Sequence, residues 1–133
     1  MSESLARDVQ AVRDHIAVNG WNQGAFYGRE ADGVTYDGTC CLEGAARQKL
    51  LELSLGSYAR FIDHVAEQIV ARGDIETVFI DEGALRYHAA VVPFANGSHY
   101  TALIPHFNDR VLKTKDEVLE FLDKAVIAAQ EKA

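Results

Sequence analysis

Basic residues are scarce in this chain. Thirteen lysines and arginines stand against twenty aspartates and glutamates, giving a net charge of −7 at neutral pH. A general nucleic-acid binder carries a basic face, so DNA and RNA are not expected partners. The opening, Met1-Ser-Glu-Ser-Leu-Ala-Arg-Asp, has no basic segment followed by an apolar stretch, so no secretory signal is expected. Long apolar runs are missing as well. The longest stretch free of Lys, Arg, Asp and Glu runs from Tyr87 to Asn108, and it contains Pro93, Asn96, Gly97, Ser98, Pro105 and three histidines. Such a segment does not suit a membrane span. Cysteine is limited to Cys40 and Cys41. A disulfide between sequence neighbours is strained, so both are expected as free thiols, which suits a reducing cytoplasm. No Gly-x-Gly-x-x-Gly or Gly-Lys-Ser/Thr loop cradles phosphate, and no Cys-x2-Cys or His-x3-His spacing organises a metal. Neither a cofactor nor a metal is expected.

What remains has an ordinary globular balance, 48% hydrophobic and 25% charged. At 133 residues it fits one domain over 1–133, able to bury roughly two-thirds of its unfolded surface. Leu5, Val9, Val12 and Ile16 recur at helical spacing and predict a helix over 3–18, capped by Ser2 or Ser4 and stopped at Asn19-Gly20. Residues 21–38 form a glycine- and aromatic-rich loop, with room for a short two-stranded ribbon around Asp32-Gly33. Thr39 is the expected cap of a second helix over 40–53, with Leu42, Ala46, Leu50 and Leu53 on its apolar face. Ser57 is the expected cap of a third helix over 58–71 that buries Phe61, Ile62, Val65 and Ile69 and ends at Gly73.

Residues 74–97 allow two readings. One is a hairpin of Glu76–Ile80 and Leu85–Val92 about Asp81-Glu-Gly83; the other is a helix from Asp81 to Pro93. The helix is preferred, because Ala84, Ala89 and Ala90 are poor strand residues. Asn96-Gly97-Ser98 reads as a turn, and Tyr100–Phe107 as a short helix or irregular segment. Thr114-Lys-Asp-Glu117 is a capping box that opens a last helix, whose buried stripe is Val118, Phe121, Leu122, Ala125 and Val126 and which runs to about Gln130. The expected architecture is therefore mainly α: a bundle of four to five helices carrying an aromatic loop, with a short β-hairpin as an option.

One constellation carries chemistry. Gln23-Gly24, Cys40-Cys41 at a helix start, His88, His99 or His106, and Asn108-Asp109 follow the Gln, Cys, His, Asn order of papain-like enzymes. A helix N-terminus favours a thiolate, a histidine shuttles its proton, an Asn or Asp orients that histidine, and a glutamine amide binds an oxyanion. In that reading Cys41 is the nucleophile, with His106, Asn108 and Gln23 around it. The plainer reading buries both sulfurs as small apolar groups and makes Gln23, Asn108 and Asp109 hydrogen-bond holders of turns.

Four pieces carry a resemblance: Gly20-Trp-Asn-Gln-Gly24, Cys41-Leu-Glu-Gly-Ala45, Ile104-Pro-His-Phe-Asn-Asp109, and Thr114-Lys-Asp-Glu-Val-Leu119 with Leu122-Asp-Lys-Ala125. On these the sequence resembles a group of small actinobacterial and phage proteins known as a domain of unknown function. The resemblance makes Trp21, Gln23, Gly24, Cys41, Gly44, Phe107, Asn108 and Asp109 signature positions. It implies a mostly helical fold and, for a phage-encoded member, the host cytoplasm. Gly44 inside a helix costs about 1 kcal/mol relative to alanine, which points to close packing there, with Trp21 or Phe107 as the neighbour.

Two functions follow. The first is an acidic accessory protein that binds a host or phage protein through aromatics such as Tyr27, Tyr36, Tyr87 or Tyr100. The second is the cysteine-dependent hydrolase or transferase. An acidic decoy for a DNA-binding protein is a third reading, and the lysines and arginines interspersed among the carboxylates argue against it.

Overall fold

A computed structural model describes residues 2–95 and 97–132. Among them, five α-helices and five strands alternate: α1 (Ser2–Asn19), β1 (Tyr27–Arg29), β2 (Tyr36–Cys40), α2 (Leu42–Ala46), α3 (Leu55–Arg72), β3 (Thr77–Glu82), β4 (Leu85–Phe94), β5 (Gly97–Ala102), α4 (Leu103–His106) and α5 (Lys115–Glu131). Two of the helices run on into π-helical turns, α2 through Arg47–Leu51 and α4 through Phe107–Val111. The fold is mixed α/β, with one two-stranded and one three-stranded antiparallel sheet, and not the mainly helical bundle expected.

The core is helical. Leu5, Val9, Val12 and Ile16 of α1 lie in one buried cluster with Val118, Phe121, Leu122, Ala125 and Ala129 of α5. Phe61, Val65 and Ile69 of α3 join it, and Phe107 packs its ring against Phe121 at 4.9 Å between centroids. The stripes at helical spacing account for this part of the chain. The capping box forms, with one adjustment: Thr114 Oγ1 accepts the Glu117 amide, while Glu117 Oε1 accepts the amide of Lys113, one residue before the cap.

Several boundaries differ from expectation for local reasons. Cys40 ends β2, and Cys41, not Thr39, caps α2, its sulfur accepting the Gly44 amide at 3.2 Å. Ser54, not Ser57, caps α3, and left-handed Gly73 (φ +75°) ends it. Leu53 lies beyond the π-helical turn and is 78% exposed, outside the apolar face assigned to it. Ser4 lies inside α1, which already begins at Ser2.

The largest correction concerns 74–97. This segment is β3 and β4, joined through Gly83 at φ +65°, and β5 completes the sheet in the order β3-β4-β5. Phe79 pairs with His88, Ile80 with Tyr87, and Val91 with Tyr100. Two of the three alanines that argued for a helix sit at the root of the sheet, while Ala84 lies in the exposed turn beside Gly83. Ala89 and Ala90 are 1% and 0% exposed, packed where β4 approaches α4. Close approach there selects small side chains, and tertiary packing overrides intrinsic propensity. Of the turn expected at Asn96-Gly97-Ser98, Gly97 and Ser98 belong to β5, and Asn96 lies outside the described residues.

His64 ties α3 to α5. It is 1% exposed; Nε2–H donates to the Ala125 carbonyl (2.8 Å), and Nδ1 accepts from Lys132 Nζ (2.8 Å). Burial holds this imidazole below its ordinary pKa, and the Lys132 ammonium pushes the same way. The unfolded chain therefore binds the proton first, and stability falls as the pH drops below ~6.5. Urea denaturation between pH 7.5 and 5.5 should show the wild type losing more stability than His64→Gln. The difference is bounded by one proton, about 1.4 kcal/mol per pH unit. Equal slopes would contradict a neutral buried His64.

Candidate functional site

The π-helical turn Phe107–Val111 sets the site. Leu112 N reaches back to Phe107 O at 3.0 Å, a bond one residue longer than the α-helical one. Carbonyls of the turn are thereby left for other donors. Gln23 supplies them: its Nε2 lies 3.2 Å from the Asn108 carbonyl, 3.1 Å from that of Asp109 and 2.9 Å from that of Leu112.

Asn108 is the centre. It is 1% exposed, and its carboxamide makes four hydrogen bonds. Oδ1 accepts the Trp21 indole N–H at 2.8 Å and the Leu42 amide at 3.1 Å. Nδ2 donates to the Asn22 carbonyl at 3.1 Å and to Asp109 Oδ1 at 2.9 Å. Indole and backbone N–H groups only donate, so the amide orientation is fixed by its partners and its capacity is used in full. Asp109 Oδ1 also accepts the Gly24 amide at 2.9 Å, where Gly24 holds a left-handed φ of +84°. Trp21, Gln23 and Gly24 thus meet Asn108 and Asp109 across more than eighty residues of sequence in one polar knot.

Gly44 lies against this knot. A Cβ there would run into the carbonyl oxygen of Phe26. The close neighbour expected from the sequence is present, but it is the backbone of Phe26, not Trp21 or Phe107. Phe26 O is held in place as the acceptor of the Cys41 amide at 3.1 Å.

The two cysteines differ in their partners. The Cys41 sulfur is occupied with the Gly44 amide, and its residue is 6% exposed. Burial pushes this thiol above its ordinary pKa, outweighing the pull of the helix amides of Gly44 and Glu43. The sulfur that meets an imidazole is Cys40, 3.7 Å from Nε2 of His15, a histidine that no sequence signal singled out. Asn19 Nδ2 donates to His15 Nδ1 (3.2 Å) and Gln48 Oε1 accepts from Nε2 (2.7 Å), so the His15 proton sits on the nitrogen nearest the sulfur. Burial raises the Cys40 pKa too, followed by the charges of Cys41 and Asp37. His88 and His99 lie on β4 and β5, and His106 ends α4. Gln23 spends its amide on three carbonyls, and Asn108 spends its carboxamide on the knot. Among the described residues no group of three or more His, Cys, Asp and Glu could hold a metal ion, and no helix is long and apolar enough to cross a membrane.

The knot forms one wall of a cleft of about 570 Å³. Phe26, Tyr27 and Tyr36 line it with Arg29, Asp109 and Cys41. Tyr27 and Tyr36 meet edge to face at 5.8 Å, and the Arg29 guanidinium lies 5.1 Å from the Tyr36 ring centre. Tyr27 and Tyr36 are singled out by the sequence, whereas Arg29 is not, since nothing in the local pattern brings it to the same cleft as Asp109.

Gly44→Ala separates packing from propensity. Helix propensity alone would stabilise the variant by about 1 kcal/mol. Because the added methyl meets a fixed carbonyl, a net loss of about 1–3 kcal/mol is expected in urea denaturation. An unchanged or raised midpoint would contradict the close approach.

No curated protein and no solved structure matches the chain. A family model does match, over residues 1–128: that of DUF6197, a family of unknown function. With nearly the whole chain covered, the protein belongs to that family.

Proposed function

We propose that this chain is an accessory protein that acts by binding another protein, in the phage or actinobacterial setting suggested by its motifs. The observation that carries this reading is one face of the three-stranded sheet. Alternation along the strands and their register place Val78, Ile80, Leu85, Tyr87, Val91 and Tyr100 on that face. Leu85, Tyr87 and Tyr100 are 61%, 47% and 62% exposed. On the opposite face, Phe79 and His88 border a groove against Ile62 and Ala66 of α3.

A solvated sheet face normally carries polar side chains. This one carries aliphatic and aromatic groups apart from Glu82, which pairs with Leu85 at its outer end, and tyrosine is among the residue types that dominate binding energy at interfaces. The bordering strand β5, Gly-Ser-His-Tyr-Thr-Ala, has no charged residue and no proline, the devices that usually blunt a free edge. The β4 and β5 part of the face, from Tyr87 onward, falls in the longest charge-free stretch of an acidic chain, so desolvating it costs little there.

A photo-reactive benzoylphenylalanine replacing Tyr100 should give a discrete cross-linked protein in the native cells. The same group replacing Ile127, which is 56% exposed on α5, should not. Changing Leu85 and Tyr87 together to serine should abolish the species formed from position 100. Equal cross-linking from both positions, or none from position 100, would contradict the proposal.

A further inference from the structure

The aromatic cleft holds two opposite charges that have no ion-pair partner among the described residues. Arg29 and Asp109 both line it. Among the described residues no carboxylate lies within ion-pair distance of Arg29, no cation lies within that distance of Asp109, and the two do not pair with each other. Both charges are nevertheless held in place. Arg29 NH1 donates to the Gly33 carbonyl at 3.1 Å while its guanidinium stacks on Tyr36. Asp109 is fixed through Oδ1 by the Gly24 amide and by Asn108, and its second oxygen makes no hydrogen bond within the described residues. Side chains ordered before a ligand arrives lose less entropy on binding it.

Phe26, Tyr27, Tyr36 and Cys41 line the same cleft. The volume, about 570 Å³, is in the range of small-molecule sites and well above what one amino acid fills. We propose that this cleft binds a small zwitterion of about dipeptide size with an apolar or aromatic body, its carboxylate on Arg29 and its ammonium on Asp109. A guanidinium is the residue of choice for a carboxylate, because its planar donors match two oxygens. The free Asp109 oxygen is a suitable acceptor for an ammonium, and the ring faces and edges take the body of the ligand. Reading both charges at once confines the ligand to a free zwitterion of about this length, since the end of a longer peptide carries only one of them. The inference is independent of the sheet face, which lies on other strands.

Phenylalanyl-phenylalanine is a suitable probe, followed by amide chemical shifts in the full chain. Saturable shifts are expected at Gly24, Arg29 and Cys41, next to the cleft. The N-acetylated dipeptide and the C-terminal amide should each bind at least tenfold more weakly, and free phenylalanine more weakly still. In Arg29→Gln, an exposed change that spares the core, the free acid and the amide should bind alike while the acetyl group still weakens binding. Asp109→Asn, which keeps an oxygen for Gly24, should show the reverse pattern. Absence of saturable shifts at millimolar dipeptide would overturn the proposal, as would equal binding of acid, amide and acetylated forms to the wild type. A tetrapeptide, whose end charges lie further apart, should bind at least tenfold more weakly than the dipeptide; equal binding would overturn the proposal.

Discussion

The carboxamide of Asn108 is the constraint on which the rest of the molecule depends. Four groups from three separate parts of the chain converge on it: the Trp21 indole, the Asn22 carbonyl, the Leu42 amide and the Asp109 carboxylate. In a buried setting each unsatisfied donor costs about 1–3 kcal/mol, so these partners are committed to one another once the core closes. The network fixes the start of α2, the path of the aromatic loop and the π-helical turn after α4 in one step. A fully satisfied buried network of this kind specifies a unique arrangement more than it adds raw stability.

Two surfaces follow from that arrangement. The loop carrying Phe26, Tyr27 and Arg29 is pressed against α2 by the Cys41–Phe26 backbone bond and by the bare Cα of Gly44, and the cleft opens between it and Asp109. The three-stranded sheet, by contrast, packs its alanine root beside α4 and extends outward. Its exposed tyrosines and leucine contribute little to the core, which is consistent with a role outside the chain's own fold.

The helical half of the protein was legible in the sequence because its information is local. Val9, Val12 and Ile16, or Val118, Leu122 and Ala125, declare a buried stripe by spacing alone, and Thr114 declares the start of α5. Gly44 was legible as a close contact, since glycine inside a helix calls for a neighbour, but its partner could not be read because a backbone carbonyl leaves no residue signature. The sheet was misread at Ala89 and Ala90, where small side chains answer a steric limit imposed by α4 and not the preference of the strand. At the site, the motif residues Trp21, Gln23, Gly24, Asn108 and Asp109 could be singled out, yet their geometry could not. Order along the chain suggested Cys41 beside His106, whereas the folded chain sets Cys40 beside His15, because β2 runs alongside α1.

Trp21 is the single tryptophan, so its indole N–H is a unique reporter on the Asn108 knot. Native-state hydrogen exchange should show that proton opening with the same free energy as the core amides of Val12 and Phe121, because it is released only when the whole fold is lost. Exchange as fast as that of the exposed loop amides near Val34 would mean that the knot opens on its own, and that Asn108 decorates the fold instead of holding it.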